Sequence, residues 1–260
     1  MGKIICISSQ KGGVGKTIAA VNLSTALAIA EKRTLFIDMD FQGHGTGAIT
    51  AEVKRGEKGI YDALTRTVPL TEAIKGTEIE YLKLIPADIR LLGVEHDLRS
   101  HNDREHILDR LLSGIKKEFD FIIIDSPPSF SFLSVNAIIA ADCLIIPLQC
   151  EYFALESLGQ FFTLFKGLKK KYRAHTKIAG ILLNMFNPHE PLSVRIAGEV
   201  RKGFNGMVYR SVIPRCSSIK ESACHQKSVI LTDISSDGSK GFISLAREII
   251  GSMSCNDEEE

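Results

Sequence analysis

The feature that most constrains this chain lies in its first thirty residues. An apolar, strand-like run, Lys3-Ile4-Ile5-Cys6-Ile7-Ser8, leads into Gly12-Gly13-Val14-Gly15-Lys16-Thr17, and that loop leads directly into an amphipathic stretch from Ile18 to Ala30. Glycines between a strand and a helix let main-chain N–H groups curl around an anion without Cβ clashes, and the helix start adds its positive dipole end. Lys16 supplies a point charge for phosphate oxygens and the Thr17 hydroxyl a ligand for Mg²⁺. A plain glycine-rich turn would not need this strand–loop–helix setting.

The rest of the chain repeats the alternation that begins there. Apolar, β-branched runs recur as TLFIDMD, LKLIPA, FDFIIIDSPP, CLIIPLQC, KIAGILLN and VYRSVIP. Between most of them lie segments with helical spacing: Arg104 to Lys117, Leu133 to Ala140, Ala154 to Lys171 and Leu192 to Lys202. Near-continuous apolar strands alternating with helices predict an α/β fold, a mainly parallel sheet covered by helices on both faces. Phe242, Leu245, Ala246 and Ile249 have the spacing of a closing helix over Gly238 to Ile250. No long linker or fixed-period repeat intervenes, so one P-loop domain over residues 1–250 is expected, followed by a polar acidic tail over 251–260.

Composition narrows the function by exclusion. With 32 Lys+Arg against 31 Asp+Glu in 260 residues, the net charge of +1 excludes a globally basic nucleic-acid coat or an acidic solvating protein. The start lacks the charged, apolar and small-residue regions of a secretory signal, and no uncharged apolar stretch is long enough to span a bilayer. Six cysteines with no C-x-x-C pair read as reduced thiols of a cytoplasmic protein. The charge is nevertheless uneven: residues 151–230 hold thirteen Lys+Arg and five Asp+Glu, a local surplus that can face a polyanion. A solvated helix face accounts for such clusters equally well.

Two carboxylate motifs accompany the loop. Phe121-Ile122-Ile123-Ile124-Asp125 is an apolar strand ending in an acid, the form expected of a Walker B element that meets a hard cation. Asp38-Met39-Asp40 ends another apolar strand. An acid at a strand end often only caps a turn, so each motif gains meaning from the loop rather than alone.

An ordinary P-loop, G-x-x-x-x-G-K-[ST], has its first glycine five positions before the second, where this chain has Gln10, and Lys11 follows it, so the motif reads K-G-G-V-G-K-T. This resembles the deviant Walker A motif of the ParA/MinD family of ATPases, and the segments Asp38-Met39-Asp40-Phe41-Gln42-Gly43-His44, Leu148 to Glu156 and Val212-Ile213-Pro214-Arg215 are similar to ParA-type segments. Phe41 and His44 depart from the family's Pro and Asn. The resemblance implies ATP bound by Lys11, Gly12, Gly13, Val14, Gly15, Lys16, Thr17 and Ile18, with Asn184 and Pro214 around adenine. It implies Mg²⁺ held by Thr17 and Asp125 with support from Asp38, and Asp40 as the group that positions the attacking water. Lys11 is implied to reach the partner's ATP in a nucleotide-sandwich homodimer.

The same resemblance implies non-specific DNA binding by the ATP dimer, partition of plasmid or chromosome DNA or positioning of another cargo on the nucleoid, and a ParB-like or other adaptor that stimulates hydrolysis. The family's DNA-contacting arginines are not matched at Asn187-Pro188-His189 or at Cys216 to Ile219, so Arg195, Arg201, Lys202 and Lys220 are the candidate contacts. A MinD-like membrane-cycling ATPase is the alternative, disfavoured by the acidic end Asn256-Asp257-Glu258-Glu259-Glu260, which anionic lipid repels. An iron–sulfur reductase on the same loop needs cluster thiolates, and Asp125-Ser126-Pro127-Pro128 has none beside it.

Overall fold

The computed structural model describes residues 2–50, 53 and 56–254. Every strand expected from the apolar runs is present: β1 (Lys3–Ile7), β2 (Thr34–Asp38), β4 (Leu82–Ile85), β5 (Phe121–Asp125), β6 (Cys143–Gln149), β7 (Lys177–Phe186) and β8 (Val208–Pro214). A two-residue strand, β3 (Lys75–Gly76), was not legible in the sequence and pairs antiparallel with β4 at the sheet edge. The eight strands form one sheet in the order β3-β4-β2-β5-β1-β6-β7-β8, parallel apart from β3.

Alternate residues of the central strands enter two separate cores. Ile4, Cys6, Leu35, Ile37, Ile122, Ile124, Leu144 and Ile146 pack on one face, beneath the helices Phe132–Ala140, Ala154–Tyr172 and Pro191–Gly203. Ile5, Ile7, Phe36, Phe121, Ile123 and Ile145 pack on the other, beneath the helices Lys16–Ile29 and Asp237–Ser254. A strand buried on both faces cannot alternate polar with apolar residues, which is why these runs read as continuous.

Two segments differ from the sequence expectation. Arg104 to Lys117 is not one helix: a 3₁₀ turn at Arg104–His106 precedes an α-helix at Ile107–Ser113, and Lys116–Glu118 is again 3₁₀. Gly114 closes the α-helix and the buried Ile115 and Phe119 draw the chain back to the sheet. The closing helix runs to Ser254, past the boundary expected at residue 250, and the remainder of the expected tail, 255–260, lies outside the described residues.

The topology places the loop. β1 is central, flanked by β5 and β6, and its C-terminal end is where the connections diverge to the two sides of the sheet, the position at which open α/β sheets form a ligand crevice. Ile7, Asp38 and Asp125 are register partners across β1, β5 and β2, so the strand ends that carry the acids lie in one row beside the loop.

Candidate nucleotide and metal site

The loop between β1 and the helix Lys16–Ile29 is held open by its glycines. Gly13 and Gly15 have φ of 76° and 82°, which side chains rarely adopt, and a Cβ on Gly12 or Gly13 would meet no atom within 4 Å. The concave face of the turn is therefore bare backbone. Gly15 is required for a second reason, because its Cβ would stand 2.5 Å from Asn184 Nδ2.

That contact places Asn184 against the loop. Its side chain is buried, and Nδ2 donates to Val14 O at 2.6 Å while Oδ1 accepts from the Met185 N–H. The amide braces the loop from beneath through its side-chain bond to the loop backbone. Pro214 closes β8 on the same edge, in register with Phe186 of β7.

Lys16 is buried to 7% exposure and its Nζ donates to Lys11 O at 3.4 Å. Burial lowers its pKa, while the charges of Asp125 and Asp40 act in the opposite sense. Lys11 points elsewhere. Its Nζ lies 2.7 Å from Glu151 Oε2 just beyond β6, in a pair whose side chains are both nearly half exposed. Glu151 belongs to a segment the sequence singled out, yet its pairing with Lys11 spans 140 positions and no local pattern could announce it.

The two strand-end acids are in different states. Both are fully buried. Asp38 is satisfied within the protein: Oδ1 accepts the Asp40 N–H at 3.0 Å, and Oδ2 accepts the Thr46 N–H at 2.7 Å and the Thr46 hydroxyl at 2.8 Å. Burial nevertheless pushes its pKa up to about 6. Neither oxygen of Asp125 has a hydrogen-bond partner; the Thr17 hydroxyl lies close enough to favour its charge without closing a bond. Burial first, and then the neighbouring Asp38 charge, hold the Asp125 carboxyl well above the ordinary range.

Two oxygens buried without partners, next to a threonine hydroxyl and a glycine-loop N–H cradle, form a donor set that fits a hard cation. It suits Mg²⁺, which keeps several waters and takes one or two protein oxygens plus substrate phosphates. Among the described residues no group of three or more His, Cys, Asp or Glu is placed to hold a metal ion.

Asp40 is half-buried at the mouth of the row, with Oδ1 accepting the Gln42 N–H at 3.1 Å. Loop, acids and Asp40 thus converge at one end of the sheet. The basic candidates do not converge. Arg195, Arg201 and Lys202 project from the helix Pro191–Gly203, whose Ile196, Ala197 and Val200 pack into one core. Lys220 is on the helix Ser217–Cys224, whose Ile219 packs against the other. The spacing in sequence gave no sign that the sheet separates them, and Arg195 is partly neutralised by Glu199 at 3.0 Å.

A family model described as an AAA domain matches residues 2–178. The sporulation initiation inhibitor protein Soj of Bacillus subtilis is 41% identical over 249 residues, covering 96% of this chain and 98% of that protein. The chromosome partitioning protein ParA of Myxococcus xanthus is 41% identical over 250 residues, covering 96% and 88%. Among solved structures, the septum site-determining protein MinD of Pyrococcus horikoshii complexed with Mg-ADP superposes with a TM-score of 0.80 at 25% identity, over 96% of each chain.

Proposed function

The chain belongs to the ParA/MinD family of deviant Walker A P-loop ATPases, on its ParA/Soj side, and from that premise we propose that it is a Mg²⁺-dependent ATPase of DNA partition. The observation that carries this reading is Asp125, buried with both oxygens unpartnered beside Lys16 and Thr17 at the end of the glycine loop. The loop N–H groups and Lys16 bind the β- and γ-phosphates, and Thr17 and Asp125 hold Mg²⁺ with Asp38 supporting the row from behind. Pro214 at the end of β8 would pack against the base, with Asn184 bracing the loop beside it. When bound, Mg²⁺ neutralises the charge that develops on the transferred phosphoryl group.

Asp40 positions the attacking water at the mouth of the site. Lys11 acts on the nucleotide of a second copy, for which it must leave Glu151. That pair is exposed, so its rupture costs no more than about 1 kcal/mol and does not oppose dimerisation strongly. The ATP-bound homodimer then presents two copies of the basic helices to DNA of any sequence. Placement on the nucleoid in the cytoplasm and stimulation by a ParB-like or other cargo adaptor complete the proposal.

A membrane-cycling role is disfavoured by the closing helix. Its apolar residues Phe242, Leu245, Ala246 and Ile249 are already spent on the core, so that face is not free to enter a bilayer interface. Among the described residues no helix is long and apolar enough to cross a membrane. The deciding experiment measures ATP turnover with and without Mg²⁺, and light scattering of Asp40→Ala with ATP. Retained turnover in chelator, or a monomer under the second condition, overturns the reading.

A further inference from the structure

Asp40 stands on the loop that joins β2 to the short helix His44–Ile49, and the hydrogen bonds of that loop form a closed set. Asp38 grips both of its ends, Oδ1 taking the Asp40 N–H and Oδ2 the N–H and hydroxyl of Thr46. Inside the ring the Gly43 N–H donates to Asp40 O at 2.9 Å and the Met39 N–H to Asp125 O at 3.0 Å. The Thr46 hydroxyl does more than close the ring. While donating to Asp38 it accepts the N–H of Ala87 at 3.0 Å, which ties the loop to the segment leaving β4, 41 positions away. Ile60 N–H in turn holds Pro86 O. Gly45 permits the approach, since its Cβ would stand 2.6 Å from the Phe36 ring and 3.1 Å from Asp38 Oδ2.

We propose that Thr46 is a positioning residue for ATP hydrolysis: its buried hydroxyl, shared between Asp38 and the Ala87 N–H, fixes the loop that carries Asp40 at the distance the attacking water requires. The inference rests on the role assigned to Asp40 above. Thr46 touches neither the glycine loop nor Lys16, so it sets the rate of the chemical step and not the affinity for nucleotide. A ring with one hydroxyl serving both as donor and acceptor is rigid, and a misplaced water-positioning group is costly in rate even when every binding contact survives.

The test compares Thr46→Val, Thr46→Ser and Asp40→Ala with the parent, well below the thermal midpoint of each. Thr46→Val keeps shape and the main-chain bond to Asp38 but removes both hydroxyl contacts. Its kcat should fall about tenfold to a hundredfold, with KM for ATP within about twofold of the parent. Thr46→Ser should restore kcat. If Thr46→Val does not fold, Thr46→Cys, a weaker donor and acceptor, should show an intermediate kcat at unchanged KM. Because the chain contains no tryptophan, Phe41→Trp places a single tryptophan beside Asp40, selectively excited apart from the five tyrosines, and adding Thr46→Val should make it more accessible to acrylamide. Parental kcat in Thr46→Val with poor turnover in Asp40→Ala overturns the role of Thr46 alone. So does a loss shared between kcat and KM that serine does not restore. Parental turnover in Asp40→Ala overturns the hydrolytic reading itself, and the role of Thr46 with it.

Discussion

The nucleotide edge and the basic segment are built on opposite principles. At the edge, Lys16, Asp38 and Asp125 are buried polar groups; the places of the two acids follow from strand register, so a one-residue slip of β2 or β5 would move them, and Lys16 opens the helix that the loop after β1 leads into. In the basic segment, Arg195, Arg201, Lys202 and Lys220 are surface cations on helices covering different faces of the sheet, and each can vary without disturbing the core. Buried charge demands a partner and so specifies a site, whereas solvated charge demands none.

The comparison is tested most severely at Lys16. Lys16→Ala removes a buried cation facing two carboxylates and should cost at least about 10²-fold in turnover together with nucleotide affinity; a steady-state assay showing parental rates would mean the edge is not the reaction site. Asp40→Ala should lower kcat by about 10²-fold while leaving ATP binding in place, which equilibrium binding of a fluorescent ATP analogue checks alongside turnover.

Next in size is a pH effect whose sign reverses with ligand. Asp38 is raised to about 6 in the fold against an ordinary carboxyl near 3.8, so without ligand the folded state holds its proton more tightly than the unfolded chain. The protein without Mg²⁺ should therefore lose on the order of 2–3 kcal/mol of stability as pH rises from below 4 to above 6. Mg²⁺ needs the ionised acids, so ATP·Mg²⁺ should bind more weakly as pH falls through 6. Denaturant midpoints across this range, with and without Mg-ATP, should diverge on the alkaline side; parallel curves would show the acids do not meet the metal.

At the basic segment effects should be smaller and graded. Each of Arg201→Glu and Lys202→Glu should weaken DNA binding alike for all sequences and reduce the slope of log affinity against log salt by about one, with DNA-free ATP turnover unchanged. Fluorescence anisotropy at several salt concentrations measures this, and an unaltered slope would assign the contacts to other cations such as Lys166, Lys169, Lys170 and Arg173. The smallest effect is expected where the regions meet. Lys11→Ala breaks the exposed pair with Glu151 and should change monomer stability by at most about 1 kcal/mol, yet abolish the ATP dimer trapped by Asp40→Ala in light scattering.

How far each region was legible in the sequence follows the same division. K-G-G-V-G-K-T and FIIID announced themselves because a phosphate loop and a buried parallel strand each impose a local pattern. Asn184 was legible as a residue but not in its orientation: that its amide donates to Val14 O depends on Gly15 having no Cβ, which would stand 2.5 Å from Asn184 Nδ2, and no spacing encodes that approach. Thr46 carried no signal at all, since a threonine in a short helix is unremarkable until Asp38 and Ala87 are brought to either side of its hydroxyl.

By itself the sequence determined the parallel α/β fold and the phosphate loop, because these rest on hydrophobic period and on glycine's backbone freedom, both local properties of the chain. Tertiary structure alone decided that Asp38 is hydrogen-bonded while Asp125 is orphaned, that Lys11 rests on Glu151, and that the basic residues divide between two faces. Those outcomes depend on which distant groups arrive within about 3 Å of one another, and hydrogen bonds and desolvation act only at that range.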